Sequence, residues 1–298
     1  MYNICTGVFN SLGDSRTPLV FLIGSSLGNI GLDLLFVTVF DMGVAGVAWA
    51  TFIAQGAACL LSLATLRRRL SRLETPEKSP LFSLEMLGRI SRIAVPSILQ
   101  QSFISVGNMF IQGLVNGYGS SVIAGYSAAV KLNTFAITSF TTLSNGLSSF
   151  SAQNLGAGKI DRVRRGFWSG CLLAVCVVAP FTLVYGLFTD AAVRLFLDTT
   201  SRYALEIGCD FLRLVAPFYL VISVKLMADG ILRGAGAMKS FMVATFTDLM
   251  LRVILAFLLS ARLGTDGIWL SWPIGWTAAA VLSCAFYFAG RWKTRFLR

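Results

Sequence analysis

The side chains best placed to do chemistry are few, and they lie where charge is costly. Asp33 is the only charged residue between Arg16 and Asp41. An ionised side chain in mid-membrane costs about 2.5–3.5 kcal/mol on insertion scales, so its presence calls for a partner or a cavity. Asn29 stands four residues earlier and Ser26 three before that, which puts all three on one helix face. A carboxylate beside an amide oxygen can hold a small cation. Desolvation also favours the neutral acid, which lets Asp33 carry a proton. Protonation would remove one charge and let the helix repack, a two-state switch. The plain alternative for Asn29 and Asp33 is a hydrogen bond that packs two helices.

Two longer polar stripes follow. Ser97, Gln101, Ser105, Asn108 and Gln112 recur at steps of four, four, three and four residues, and Ser127, Lys131, Thr134, Thr138, Thr141 and Asn145 repeat the pattern in the next apolar stretch. In a bilayer such stripes either join helices or line a cavity. Amides donate and accept without demanding one charge, which suits a broad pocket walled by the 23 phenylalanines and the tryptophans. Lys225 and Asp229, and likewise Asp248 and Arg252, stand at i and i+4. Each pair can neutralise itself along one face, either as structure or as part of a transport path. Arg233 reads as an interfacial anchor.

Other chemistry is excluded by what the chain lacks. With no histidine, histidine metal sites and Ser-His or Cys-His nucleophiles are ruled out. The six cysteines include no CxxC pair and sit mostly in apolar runs, as small buried hydrophobes do. No catalytic cluster is readable, so an enzyme is not expected. No metal is expected beyond Na+ at Asn29 and Asp33.

The elements that must position these residues are membrane spans. Of 298 residues, 55% are hydrophobic and 13% charged, with a mean hydropathy of +0.73; a soluble domain carries about 25% charge. A spanning helix needs roughly 20 mostly apolar residues. Thr17–Phe40, Met42–Leu66, Gly166–Thr189, Phe211–Gly234, Ser240–Ala261 and Gly267–Gly290 qualify. Ile93–Val130 is too long for one span and breaks at Asn116-Gly117-Tyr118-Gly119, giving one span before that turn and one from Ser121 to Gly158. The expectation is an all-α polytopic bundle of eight spans. Met1–Leu12 reads as the end of a further helix whose beginning is absent, in an N-terminally truncated chain.

The basic residues test that count. Arg16, the group from Arg67 to Arg92, Lys159 to Arg165, Lys239 and the tail from Arg291 to Arg298 all fall on one side if each span crosses once. The opposite loops carry few cations. This is the positive-inside pattern and puts the C-terminus in the cytoplasm. The net charge of +11 thus faces a lipid surface, and nucleic acid is not expected as a partner. Arg67–Arg92, with Pro76 and Pro80, reads as a basic linker touching anionic lipid.

Two stretches also resemble each other. Gly7–Asp14, an apolar span and Gly43–Trp49 correspond to Gly230–Ala237, a span and Gly264–Leu270, with Gly13 matching Gly236 and Gly43 and Gly46 matching Gly264 and Gly267. Six spans separate the copies, so both face the same way, as parallel repeats in transporters do.

Five motifs in register resemble the multidrug and toxic compound extrusion (MATE) family: Leu12–Pro18, Asn29–Asp33, Gly43–Thr51, Gln153–Lys159 and Leu232–Gly236. The resemblance implies two six-helix lobes, of which this chain supplies spans five to twelve. Residues 1–70 would be the remainder of the N-terminal lobe, 71–88 a cytoplasmic linker and 89–298 the C-terminal lobe. It implies export of amphipathic, often cationic, small molecules across the plasma (inner) membrane in exchange for H+ or Na+, with no other cofactor. Asn29 and Asp33 match the family's span-five coupling pair. The substrate-cavity candidates are Gln101, Ser105, Asn108, Gln112, Lys131, Thr134, Thr138, Asn145, Lys225 and Asp229. The family's span-one partner has no counterpart here, and span seven lacks the acid another branch uses. A flippase for lipid-linked saccharides shares the two-lobe layout, and a non-functional fragment that needs its missing N-terminal spans is the remaining alternative.

Overall fold

The computed structural model describes residues 1–72, 82–197 and 201–293. Among these residues there is helix and turn and no strand. Contacts divide the chain into Met1–Phe82 and Ser83–Arg298. Pro76, Pro80 and Lys78 of the expected linker, and Arg295 and Arg298 of the tail, lie outside the described residues.

The first unit contains α1 (Tyr2–Ser11), α2 (Arg16–Leu34), a π-helical turn at Leu35–Val39 that prolongs α2, and α3 (Gly43–Leu70). Asp14 starts α2 by accepting the Thr17 backbone N–H at 3.1 Å and its hydroxyl at 2.7 Å, filling the role of a capping side chain for donors that have no helical partner. Asp14 also pairs with Arg69 at the far end of α3. Only Pro18 of α2 is buried; Leu19, Val20, Ile23, Leu27, Ile30 and Leu34 are exposed. So continuous an apolar surface has no place in water. The small residues Gly46, Ala50, Ala54 and Ala58 form the buried stripe of α3, which lets its neighbours approach closely.

The second unit contains α4 (Leu84–Asn116), α5 (Ser120–Gly156), α6 (Ile160–Leu187), a short α7 (Thr189–Arg194), α8 (Arg202–Val215), α9 (Tyr219–Gly234), α10 (Met238–Leu263) and α11 (Thr265–Phe288). A 3-10 turn at Ala216–Phe218 joins α8 to α9 in one long rod, because Pro217 removes a helical donor there. Ser83 caps α4 by accepting the Met86 N–H at 3.3 Å. The helix therefore begins inside the expected linker, with Leu84–Gly88 already helical. Its core is aromatic: Tyr126 stacks on Trp269 at 5.0 Å, and Phe211 meets Trp269 edge-on at 5.3 Å.

The eight stretches expected to span are all helical among the described residues, as α2, α3, α4, α5, α6, the α8–α9 rod, α10 and α11. Six are long and apolar enough to cross a membrane. The other two, α4 and α5, have 33 and 37 residues and ample length, but they carry the two polar stripes.

The repeat recurs as backbone geometry. Gly13 has φ +80° and Gly236 φ +67°. In the first turn Asp14 N–H donates to Phe9 and Gly13 N–H to Asn10; in the second, Ala237 donates to Leu232 and Gly236 to Arg233. These are the paired bonds of a Schellman ending, which needs a left-handed residue where glycine is cheapest. Gly43 and Gly264, also matched, both have positive φ.

Candidate functional site

In the second unit, α4, α5, α9, α10 and α11 enclose a cavity of about 580 Å³. Close helix crossings shape it: a Cβ on Gly230 of α9 would lie 2.7 Å from the Ser144 carbonyl of α5, so glycine sets that approach. Gln101, Asn108 and Gln112 line the cavity from α4, Thr134 and Asn145 from α5, and Lys225 and Asp229 from α9. Seven of the ten cavity candidates are thus brought together. Ser105, Lys131 and Thr138 are exposed and do not line it. The Ser105 hydroxyl bonds instead to the Gln101 carbonyl of its own helix at 3.1 Å, and Thr138 lends its carbonyl to Thr141 and Thr142. A stripe at mixed steps of three and four covers more of a helix than one cavity wall, which the spacing alone did not reveal.

Lys225 and Asp229 form an ion pair at 3.0 Å with side chains 5% and 2% exposed. Ser283 of α11 donates a further bond to Asp229 at 2.6 Å. Such a pair is tolerable away from water only because charge and lone pairs are matched together.

Two sequence expectations are corrected here. Asp248 and Arg252 do not form an ion pair. Arg252 lies over the Trp272 ring at 4.5 Å, while Asp248 Oδ1 is buried without a hydrogen-bond partner. It packs against Gly275, where a Cβ would stand 2.7 Å from it. Both residues line the cavity. Arg233 is not an interfacial anchor: it lines the same cavity, donates to Ser144 Oγ at 3.3 Å and lies over Phe241 at 5.6 Å.

Asn133 went unforeseen. It is buried in α5, lines the cavity and accepts the Tyr219 hydroxyl at 3.0 Å. Its one signal was adjacency to Thr134, and a lone amide among Leu132 and Ala136 gives no period. Trp272 and Trp276 supply the aromatic wall.

The first unit has its own, smaller cavity of about 290 Å³, lined by Ser25, Ser26 and Asn29 from α2 and by Ala54, Gln55 and Ala58 from α3. Asn29 Nδ2 reaches Thr51 Oγ1 at 3.5 Å. Asp33 is half-buried and does not line it; its Oδ1 is enclosed with no hydrogen-bond partner among the described residues. Among those residues no group of three or more acids, cysteines or histidines could hold a metal.

Helices long and apolar enough to cross a membrane, packed around a mixed polar and aromatic cavity, make a multi-pass membrane protein. The MatE family model matches residues 96–258, and the chain belongs to that family, the multidrug and toxic compound extrusion proteins. It is 31% identical to "Probable multidrug resistance protein YpnP" of Bacillus subtilis, over 98% of this chain and 65% of that one. It is 24% identical to "Multidrug export protein MepA" of Staphylococcus aureus, over 84% of this chain and 56% of that protein. The chain thus spans about two thirds of YpnP and less of MepA. Among solved structures, the Vibrio cholerae MATE transporter VcmN in its bent form superposes with a TM-score of 0.87 at 19% identity, over 100% of this chain and 67% of that one. An outward-facing multidrug resistance MATE family transporter gives 0.88 at 20% identity, over 99% and 66%. At these identities the likeness is one of fold.

Proposed function

We propose that this chain forms part of a cation-coupled antiporter that exports amphipathic small molecules by alternating access, with the second-unit cavity as the substrate site. The observation that carries this reading is that cavity: about 580 Å³ of mixed amide, charged and indole lining inside a helical bundle. Pockets of this size and mixture hold small molecules. The residues assigned to it are Gln101, Asn108, Gln112, Thr134, Asn145, Lys225 and Asp229.

Asn29 and Asp33 are the coupling pair, for H+ or Na+. The enclosed, partnerless oxygen of Asp33 supports this role, since a half-buried acid without a donor has most to gain from a proton or a cation. The protein sits in the plasma membrane with its C-terminus in the cytoplasm, as the one-sided distribution of Arg67 to Arg69, Lys159 to Arg165 and Lys239 supports. The longer reach of its relatives supports a working transporter that includes helices beyond these eight.

Export of a fluorescent drug is measured in cells stripped of their own efflux pumps that express the protein in its full natural form. Wild type should lower the intracellular drug, and Asp33→Asn at equal membrane abundance should abolish coupled export. Undiminished export by that variant overturns the coupling role. No export by wild type overturns the transport reading.

A further inference from the structure

The second-unit cavity holds five charged side chains: Lys225, Asp229, Arg233, Asp248 and Arg252. Three are cations and two are acids, so the lining carries one excess positive charge. The excess is also unevenly presented. Asp229 is committed to Lys225 and Ser283. Asp248 lies at 8% exposure with its Oδ1 against Gly275. Both acids are therefore less open to an incoming ligand than Arg233. Lys225, Asp229, Asp248 and Arg252 are each at most 8% exposed, whereas Arg233 is only half-buried. The most accessible charge in the cavity is thus a guanidinium. Among the described residues neither Arg233 nor Arg252 forms an ion pair, and both rest on aromatic rings. A ring face leaves the in-plane N–H donors of a guanidinium free to point elsewhere; in Arg233 one of them goes to Ser144 Oγ at 3.3 Å, a neutral acceptor that leaves its charge unpaired.

We propose that the second-unit cavity takes amphipathic molecules bearing an acidic group, a carboxylate or sulfonate, with Arg233 as the principal binding residue and Arg252 behind it. This rests on the cavity being the substrate site, and narrows the substrate class that it accepts. An anion there neutralises the excess charge in a site of low dielectric, where an unpaired cation is otherwise costly. Trp272 and Trp276 receive the apolar body of the ligand. A cationic amphipath would add a second unmatched positive charge.

The tryptophans make the test direct. Energy transfer from tryptophan to a bound dansyl group is titrated on the purified protein in detergent with three probes of one ring system: dansylglycine, an anion; dansylamide, neutral; and dansylcadaverine, a cation. The expected order is anion tightest and cation weakest, with at least a tenfold gap. Arg233→Gln should weaken dansylglycine by about 10- to 100-fold, the range for losing a charge-assisted hydrogen bond, and leave dansylamide unchanged. Arg233→Lys, which keeps the charge, should retain most of the preference and serves if the glutamine variant does not fold. Dansylcadaverine binding as tightly as dansylglycine, or a preference untouched in Arg233→Gln, overturns the substrate class and leaves the transport reading standing. No saturable transfer from any probe overturns the cavity as a ligand site, and with it both readings.

Discussion

Sixteen residues beyond the turn glycine, the first repeat carries Asn29 and the second Arg252; five residues beyond Gly46 and Gly267 stand Thr51 and Trp272. These matched positions meet in both copies. Asn29 reaches Thr51 between α2 and α3, and Arg252 lies over Trp272 between α10 and α11. By the same count Ser25 matches Asp248, and Ala54 matches Gly275. The first set helps line a cavity of about 290 Å³ and the second one of about 580 Å³. One backbone arrangement, set by glycine turns, thus hosts an amide–hydroxyl contact in one unit and a guanidinium–indole contact in the other. The frame fixes where side chains meet, and residue type at those points fixes which charges the cavity holds.

The contrast in charge should give the largest effect. Asp229→Ala leaves the Lys225 ammonium enclosed without its partner and should cost about 3–5 kcal/mol. Asp33→Ala removes an acid that has no hydrogen bond to its enclosed oxygen and should change stability by no more than about 1 kcal/mol. Denaturant unfolding in micelles checks both, and equal losses would break the comparison. The contrast in packing comes next. Gly275→Ala would press a methyl onto Asp248 Oδ1 and should cost about 1–3 kcal/mol. The matched Ala54 already carries that methyl, so Ala54→Gly should cost only the about 0.5–1 kcal/mol of a helical glycine.

The smallest effect separates the two turns themselves. Asp14 stands where the second copy has Ala237. Hydrogen bonds from the Thr17 hydroxyl and backbone N–H, helped by Arg69, hold the Asp14 carboxyl below its ordinary pKa. A depressed carboxyl stabilises the folded turn above its unfolded pKa and loses that contribution as pH falls through the folded value. Protection of the Thr17 N–H from hydrogen exchange, taken against the intrinsic rate at each pH, should therefore fall in acid, below the ordinary aspartate range. Asp14→Asn should flatten that dependence, and the turn at Gly236 should show none of it. Acid sensitivity equal in both turns would remove the distinction.

Much of this was legible in the residue order. The break at Asn116–Gly119, the helix ends at Gly13 and Gly236, and the Lys225–Asp229 pair were all read from local pattern, because each depends on neighbours within one turn of helix. The exposure of Ser105, Lys131 and Thr138 was not legible, since a stripe only says that residues share a broad face. The fate of Asp248 and Arg252 was not legible for a related reason. Spacing at i and i+4 permits an ion pair, but Trp272 and Gly275 on another helix compete for the two groups.

The sequence by itself determined the number of rods, the ends of the repeated turns and the scarcity of charge among them, since bilayer thickness and backbone hydrogen bonding act on each segment alone. Only the tertiary structure decided that Arg233 turns inward, that Asp248 is shut away against a glycine and that five charged groups share one chamber. Those outcomes depend on how closely helices distant in the chain approach. That distance is set by small residues at crossings, and which crossings form is not written in any one segment.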